Sequence, residues 1–301
     1  MPQDKRLPDH DKVDELARYA AAKKSTLVSI VINLILTVLQ IVVGIFARSQ
    51  ALVADGIHSL SDLLADFVVL FASHHGRKGP DDDHHYGHQR YENAASLVLG
   101  LLLLVVGIGM LFSAASKFND PASIAQVHAI ALWVAVFTLF CKEGLFRYML
   151  NIAKRVRSTM LVANAWHARS DAASSLVVAL GIVGNLMGYP LLDPAAALIV
   201  GLMICKTGGQ FAWEALSDLM DKAADEEEIA KIRATLLATP GITGLHDLRT
   251  RKMGDMIMVD VHLEVDGRLN VREGHNIALQ ARASVMAEHP VLNVMTHVDP
   301  V

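Results

Sequence analysis

Six apolar stretches, at about 25–47, 50–73, 93–116, 125–150, 159–187 and 191–215, are each long enough to cross a membrane as a helix. A hydrocarbon core roughly 30 Å thick needs about 20 helical residues. Inside a bilayer the backbone must satisfy its own polar groups, which confines such stretches to helices. The sequence therefore predicts a membrane all-α domain, a six-helix transmembrane bundle over 25–221, preceded by an N-terminal segment over 1–24. Six crossings return both ends of the bundle to one side. Lys5, Arg6, Lys12, Arg18, Lys23 and Lys24, then Arg77, Lys78 and Arg90, then Lys154, Arg155 and Arg157 flank the loops of that side, whereas the opposite loops hold only Arg48 and Lys117. By the positive-inside rule both termini face the cytoplasm. Gly44, Gly100, Gly107, Gly181, Gly184 and Gly201 stud the stretches and allow helices to approach closely. The opening MPQDKRLPDHDK is mixed in charge and lacks an apolar core before a cleavage site, so no secretory signal peptide is expected.

After Asp221 the pattern changes. DEEEIAKIRATLLATPG reads as an amphipathic helix with acidic residues in its first turn, stopped at Pro240 and Gly241. A strand follows near 245–252, then a turn at Met253-Gly254-Asp255. From Ile257 to Val265 apolar and polar residues alternate, placing Met258, Asp260, His262 and Glu264 on one face of a half-buried strand. A helix near 271–288 and a last strand, VLNVMTHVDP, complete an α+β order of αββαβ over 222–301, a small ferredoxin-like sandwich.

With 31 acidic against 27 basic side chains, the chain has no basic footprint for nucleic acid. Its two cysteines, Cys141 and Cys205, both lie in apolar stretches and build neither a disulfide framework nor a thiolate metal module. The informative residues are ionisable groups where a bilayer disfavours them. ALVADGIHSLSDLLADFVVLF places Asp55, His58, Asp62 and Asp66 in one sector of the second helix, and NAWHARSDAASS places His167 and Asp171 four apart on the fifth. Each aspartate near mid-bilayer costs roughly 2.5–3.5 kcal/mol. Two His-x-x-x-Asp helices can supply two imidazole nitrogens and two carboxylate oxygens, the four ligands that Zn²⁺ takes as a tetrahedron. Fe²⁺, Co²⁺ and Cd²⁺ also fit such a set, whereas Mg²⁺ and Ca²⁺ are poorly served by imidazole. Interhelical hydrogen bonding is the plainer reading of any one of these residues, and for Asp55 and Asp66 an access path to the site is weighed against it. Lys142, Glu143 and Arg147 read as pairing or snorkelling groups at the inner end of the fourth helix.

The pairs His58-Ser-Leu-Ser-Asp62 and His167-Ala-Arg-Ser-Asp171 resemble the metal site of the cation diffusion facilitators. DDDHHYGHQRYE at 81–92, LMDKAADEEE at 219–228, HDLRTR at 246–251, VHLE at 261–264 and the terminal THVDP extend the similarity over nearly the whole chain, most strongly toward the bacterial iron/zinc efflux branch. That resemblance implies a homodimer in the bacterial inner membrane that exports divalent metal against protons and is not an enzyme. It further implies a loop metal site at Asp81, His84 and His88, and a two-metal site in the cytoplasmic tail at His246, His262, His275, His297 and Asp299. Arg90 and Asp221 match the family's charge pair joining the bundle to the tail. Where the branch often has two aspartates on the second helix, this chain has His58 first, a departure that leans toward zinc.

Expected partners are thus a second copy of the chain, divalent metal ions, protons and the bilayer, with no nucleic acid. Zn²⁺ is the first expected ion, both as cargo and in the tail, followed by Fe²⁺, Cd²⁺ and Co²⁺. Two rivals stand beside the antiporter. An intramembrane metal hydrolase would need a base beside the metal, and the chain has neither HExxH nor an intramembrane Glu next to either pair. A metal-gated channel or sensor would differ by flux without proton coupling.

Overall fold

A computed structural model describes residues 9–76, 78–119, 124, 126–156, 159–254 and 256–301. Six long helices come first: α1 (Asp9–Phe46), α2 (Gln50–Gly76), α3 (Arg90–Asn119), α4 (Ala129–Val156), α5 (Thr159–Leu186) and α6 (Leu192–Leu219). The shortest has 27 residues, about 40 Å at 1.5 Å per residue. Among the described residues Lys24–Phe46, Arg90–Asn119, Ala129–Arg155 and Leu192–Leu219 are long and apolar enough to cross a membrane. The other two, α2 and α5, carry the His-x-x-x-Asp pairs. Large apolar side chains point outward, with Phe46 and Phe112 each 78% exposed and Trp133 75% exposed, the reverse of a water-soluble surface and the arrangement expected where lipid is the solvent. The chain is a membrane protein with a helical transmembrane domain. The first helix begins well before the apolar stretch, because DHDKVDELARYAAAKK is rich in Ala, Leu, Lys, Arg and Glu, which hold a helix without an apolar face.

The chain divides into two compact units, one made of 1–66 and 102–207, the other of 67–101 and 208–301. In the first, Leu145, Phe146 and Met149 of α4 pack on Ala165 and Ala168 of α5, with Val28 and Ile32 of α1 against the same cluster. Alanines on α5 let the larger α4 side chains seat between the helices. Phe146 and Trp166 meet at 5.6 Å, and the Arg169 guanidinium lies over both rings at 4.9 and 5.2 Å. The start of α2 is capped twice. Ser49 Oγ accepts from Leu52 N at 3.1 Å, and the Asp193 carboxylate of α6 accepts from Ser49 Oγ at 2.5 Å and from Gln50 N at 2.8 Å. Gly56 brings α1 against α2: a Cβ there would sit 2.7 Å from Ile41 Cγ1 and 3.1 Å from both Gln40 Cβ and Ile41 N.

The second unit holds the tail: α7 (Glu226–Leu237), β1 (Gly244–Met253), β2 (Met256–Val265), α8 (Val271–Glu288) and β3 (Val291–Pro300). The order αββαβ is the one the alternation predicts. Strands β1 and β2 are antiparallel neighbours, and β3 pairs in parallel with β2, giving the sheet order β1-β2-β3. A parallel pair needs a crossover, which α8 provides. That helix starts with a capping box in which Asn270 Oδ1 accepts from Glu273 N at 3.1 Å and Glu273 Oε2 accepts from Asn270 N at 2.9 Å. Ile257, Val259, Val261 and Leu263 of β2 bury against Ala278, Ala281 and Val285 of α8 and Ile232 and Leu236 of α7. Both helices therefore cover one face of the sheet and leave the polar face of β2 open. A bulge after His246, with Asp247 in the left-handed region at φ 48°, shifts the β1 register by one residue.

Candidate metal sites

Within α2 and α5 the structure brings His58, Asp62 and Asp171 together, one ligand atom from each lying within 4.8 Å of the others. His58 is 5% exposed, and its Nδ1 is 3.9 Å from Asp62 Oδ2. The one-turn spacing on α2 puts both of its ligands on the face that meets α5. His167, read from sequence as the fourth member, is exposed and lies outside this trio. The set observed is one imidazole and two carboxylates.

Asp55 is enclosed by donors from two other helices. It is fully buried and accepts hydrogen bonds from Gln40 Nε2 of α1, Ser174 Oγ at 2.9 Å and Ser175 Oγ at 2.6 Å, the two serines also standing 2.8 and 3.2 Å from the Asp171 carbonyl. A carboxylate so enclosed by donors is held in place and screened from solvent. The side chain of Asp66 lies outside the described residues. Lys142, read from sequence as a pairing or snorkelling group, is 2% exposed and pairs: its Nζ donates to Ser59 Oγ at 3.0 Å and to the Asp171 carbonyl at 3.4 Å, and lies 3.6 Å from Asp55 Oδ2. Position explains why it pairs rather than snorkels, since α4 runs to Val156 and Lys142 sits halfway along its 28 residues.

In the loop between α2 and α3, Asp81, His84 and His88 converge, one ligand atom from each lying within 4.8 Å of the others. Asp81 Oδ1 accepts from His84 N at 2.8 Å, which folds the loop so that His84 Nδ1 and His88 Nε2 each stand 3.4 Å from the carboxylate. The buried His88 ring stacks on Tyr91 at 5.5 Å, while His84 and its neighbour His85 are exposed. Lys78 Nζ donates to Asp81 Oδ2 at 2.6 Å and, as the main cause, holds this carboxyl well below the usual carboxylate range. Two imidazoles and an ionised carboxylate are a donor set suited to a transition metal.

On the open face of the tail sheet one histidine stands on each strand. His246 and His262 are direct partners across β1 and β2, and His262 and His297 across β2 and β3. Their ring centroids are 5.0 and 4.7 Å apart. Asp299 closes the row, with its carboxylate oxygens 3.0 Å from His262 Nδ1, 3.3 Å from His297 Nε2 and 3.6 Å from His246 Nε2. Glu264, a bystander in the sequence reading, reaches His246 Nδ1 at 3.5 Å. One ligand atom from each of His246, His262 and Asp299 lies within 4.8 Å of the others, and the donors fit a transition metal. His275 lies exposed on α8, the helix that covers the other face of the sheet, and does not join the row within one chain.

Arg90, at the start of α3, donates from Nη2 to Asp221 Oδ1, from Nη1 to the Leu219 carbonyl at 3.2 Å and from Nε to Met253 Sδ at 3.3 Å. Asp221 turns the chain out of α6 at φ 64°. Gly254, at φ 65°, leaves room for the first turn of α3, since a Cβ there would lie 2.7 Å from Glu92 Oε2 and 3.3 Å from the Gln89 carbonyl.

Residues 26–220 match the family described as the cation efflux transmembrane domain, and residues 224–301 match the cation efflux protein cytoplasmic domain. Manganese efflux system protein MneS of Bacillus subtilis is 33% identical over 290 residues, covering 96% of this chain and 98% of that protein. Metal tolerance protein C1 of Arabidopsis thaliana is 32% identical over 280 residues, covering 88% of this chain and 59% of that protein. Magnetosome protein MamB of Magnetospira sp. is 30% identical over 262 residues, covering 85% and 87%. Among solved structures, a MamM-CTD variant is similar at 22% identity, covering 26% of this chain and 99% of that one with a TM-score of 0.25. Family matches that run through both the helices and the tail make this chain a member of the cation efflux, or cation diffusion facilitator, family of metal transporters.

Proposed function

We propose that the chain works as a homodimer with cytoplasmic termini and six spans per protomer, exporting a divalent transition metal from the cytoplasm in exchange for protons. The observation that carries this reading is the His58, Asp62 and Asp171 trio, assembled from two helices at mid-span. Imidazole ligates metal only when deprotonated, so metal binding releases a proton and protonation releases metal. Protons entering from the outer side thereby expel the ion. The tail row and the loop trio are regulatory metal sites in this scheme, and Arg90 with Asp221 ties the end of α6 to the start of α3.

Two cargo readings follow from the donor set. If His167 joins on loading, two nitrogens and two carboxylates suit Zn²⁺. If the trio acts as observed, one nitrogen and two carboxylates suit a harder ion such as Mn²⁺ or Fe²⁺. A relative named as a manganese efflux protein adds weight to the second reading. Proteoliposomes with an imposed proton gradient decide between them. The trio requires that His58→Ala, Asp62→Ala and Asp171→Ala each abolish flux of every metal, and wild-type rates in all three would refute it. His167→Ala abolishes Zn²⁺ flux on the first reading and spares Mn²⁺ flux on the second. Flux that ignores the proton gradient would replace the antiporter with a channel.

A further inference from the structure

Lys142 stands about 20 Å from either end of α4, farther than a lysine stem can carry its ammonium to either interface. Nor does it lean out of the bundle. Its Nζ is shared among Ser59 Oγ of α2 at 3.0 Å, the Asp171 carbonyl of α5 at 3.4 Å and Asp55 Oδ2 at 3.6 Å. One ammonium thus reaches both helices that carry the trio. The Asp55 carboxylate is 0% exposed and sits one turn from His58 on α2, with Gln40, Ser174 and Ser175 as its donors.

Holding four helices together does not require this pair. A buried ion pair is a weak source of stability, and well-packed apolar side chains of similar volume usually serve as well or better. Ionisable groups inside a membrane mark function instead. Without Lys142, Asp55 would place a third carboxylate beside the trio and bind a dication more strongly. A transport site must bind weakly enough to let go.

The geometry points to Lys142 as a charge-masking residue of the transport core: its ammonium neutralises Asp55, so that Asp55 adds no third carboxylate to His58, Asp62 and Asp171 and the cargo remains releasable. This role rests on the reading of the trio as the cargo site. Lys142 is a positioning residue, acting on the cargo through Asp55 and through the Asp171 backbone.

Initial rates of Zn²⁺ and Mn²⁺ uptake into proteoliposomes, measured with the full chain against metal concentration, separate KM from kcat. Lys142→Met unmasks Asp55 and is expected to lower KM about tenfold and kcat by at least as much. Asp55→Asn leaves the ammonium beside the trio and is expected to raise KM about tenfold. Combining the two removes both charges and brings KM back to within about threefold of the wild type. Lys142→Arg keeps the charge and holds KM near the wild-type value. If the Lys142→Met protein does not elute as a folded species, Asp55→Asn and Lys142→Arg still decide the question. Loss of packing alone would move KM in the same direction in both single variants, or leave the double variant as impaired as the worse single, and either result overturns the masking role. Full flux in Asp171→Ala would instead remove the cargo site itself, a failure distinguishable from this one.

Discussion

Two glycines in the bundle should respond oppositely to the same substitution. At Gly109 of α3 a Cβ would meet nothing within 4 Å, whereas at Gly56 of α2 it would meet Ile41 Cγ1 at 2.7 Å, with Ile41 N and Gln40 Cβ both at 3.1 Å. Gly109→Ala therefore keeps only the propensity gain of about 0.8–1.0 kcal/mol for Ala over Gly in a helix. Gly56→Ala makes the same gain and loses more. The Ile41 side chain can rotate, but the α1 backbone can only retreat, at an overpacking cost of about 1–3 kcal/mol. That retreat withdraws Gln40 Nε2 from Asp55 Oδ2, and a hydrogen bond to a charged group contributes about 1.5–3 kcal/mol. The net expectation is a loss of about 2–5 kcal/mol at Gly56 against a gain of up to about 1 kcal/mol at Gly109. Thermal unfolding of the purified protein in one detergent gives the comparison, with metal flux run in parallel because the same retreat loosens Asp55. Equal shifts in Tm of the same sign would show that α1 does not rest on α2 at Gly56, and the reasoning would fail.

Other consequences can be checked one at a time. His58→Asp exchanges the nitrogen of the trio for an oxygen and should raise Mn²⁺ and Cd²⁺ flux relative to Zn²⁺ in competition assays; an unchanged ratio would assign selectivity to helix geometry. Replacing His262 and His297 together by alanine removes two of the three histidines of the tail row. Metal-dependent closure between labelled tails of the dimer should then be lost while residual flux persists, and complete loss of flux would move these residues into the transport path. Lys78→Ala should let the Asp81 carboxyl titrate closer to the ordinary carboxylate range in a carbon-detected NMR titration. Because the folded value is depressed, the contribution of this contact is present above the unfolded value of about 3.9 and disappears as pH falls through the lower folded one.

The long helices and the αββαβ tail were legible because each rests on a local period: an apolar run of bilayer length, an alternating strand, an acidic first turn. Other features depend on elements far apart in sequence. Nothing in VHLE or THVDP says that β3 runs parallel to β2, yet that pairing sets His262 opposite His297. Asp55 and His58 look alike as members of one ionisable helix face. Only the arrival of Gln40, Ser174, Ser175 and Lys142 from three other helices separates an enclosed carboxylate from a ligand. Between pairing and snorkelling, the two readings open for Lys142, the length of α4 decides: the helix continues through Lys154 and Arg155, which sets Lys142 halfway along it, where it pairs with Asp55.

Because the tail row takes one histidine from each strand, its assembly depends on both strand registers at once. A slip of β3 by one residue against β2 would send His297 and Asp299 to the face covered by α7 and α8. His246, His262, His297 and Asp299 share one face only in the register observed, so the donor set belongs to the complete sheet and to no shorter piece of it.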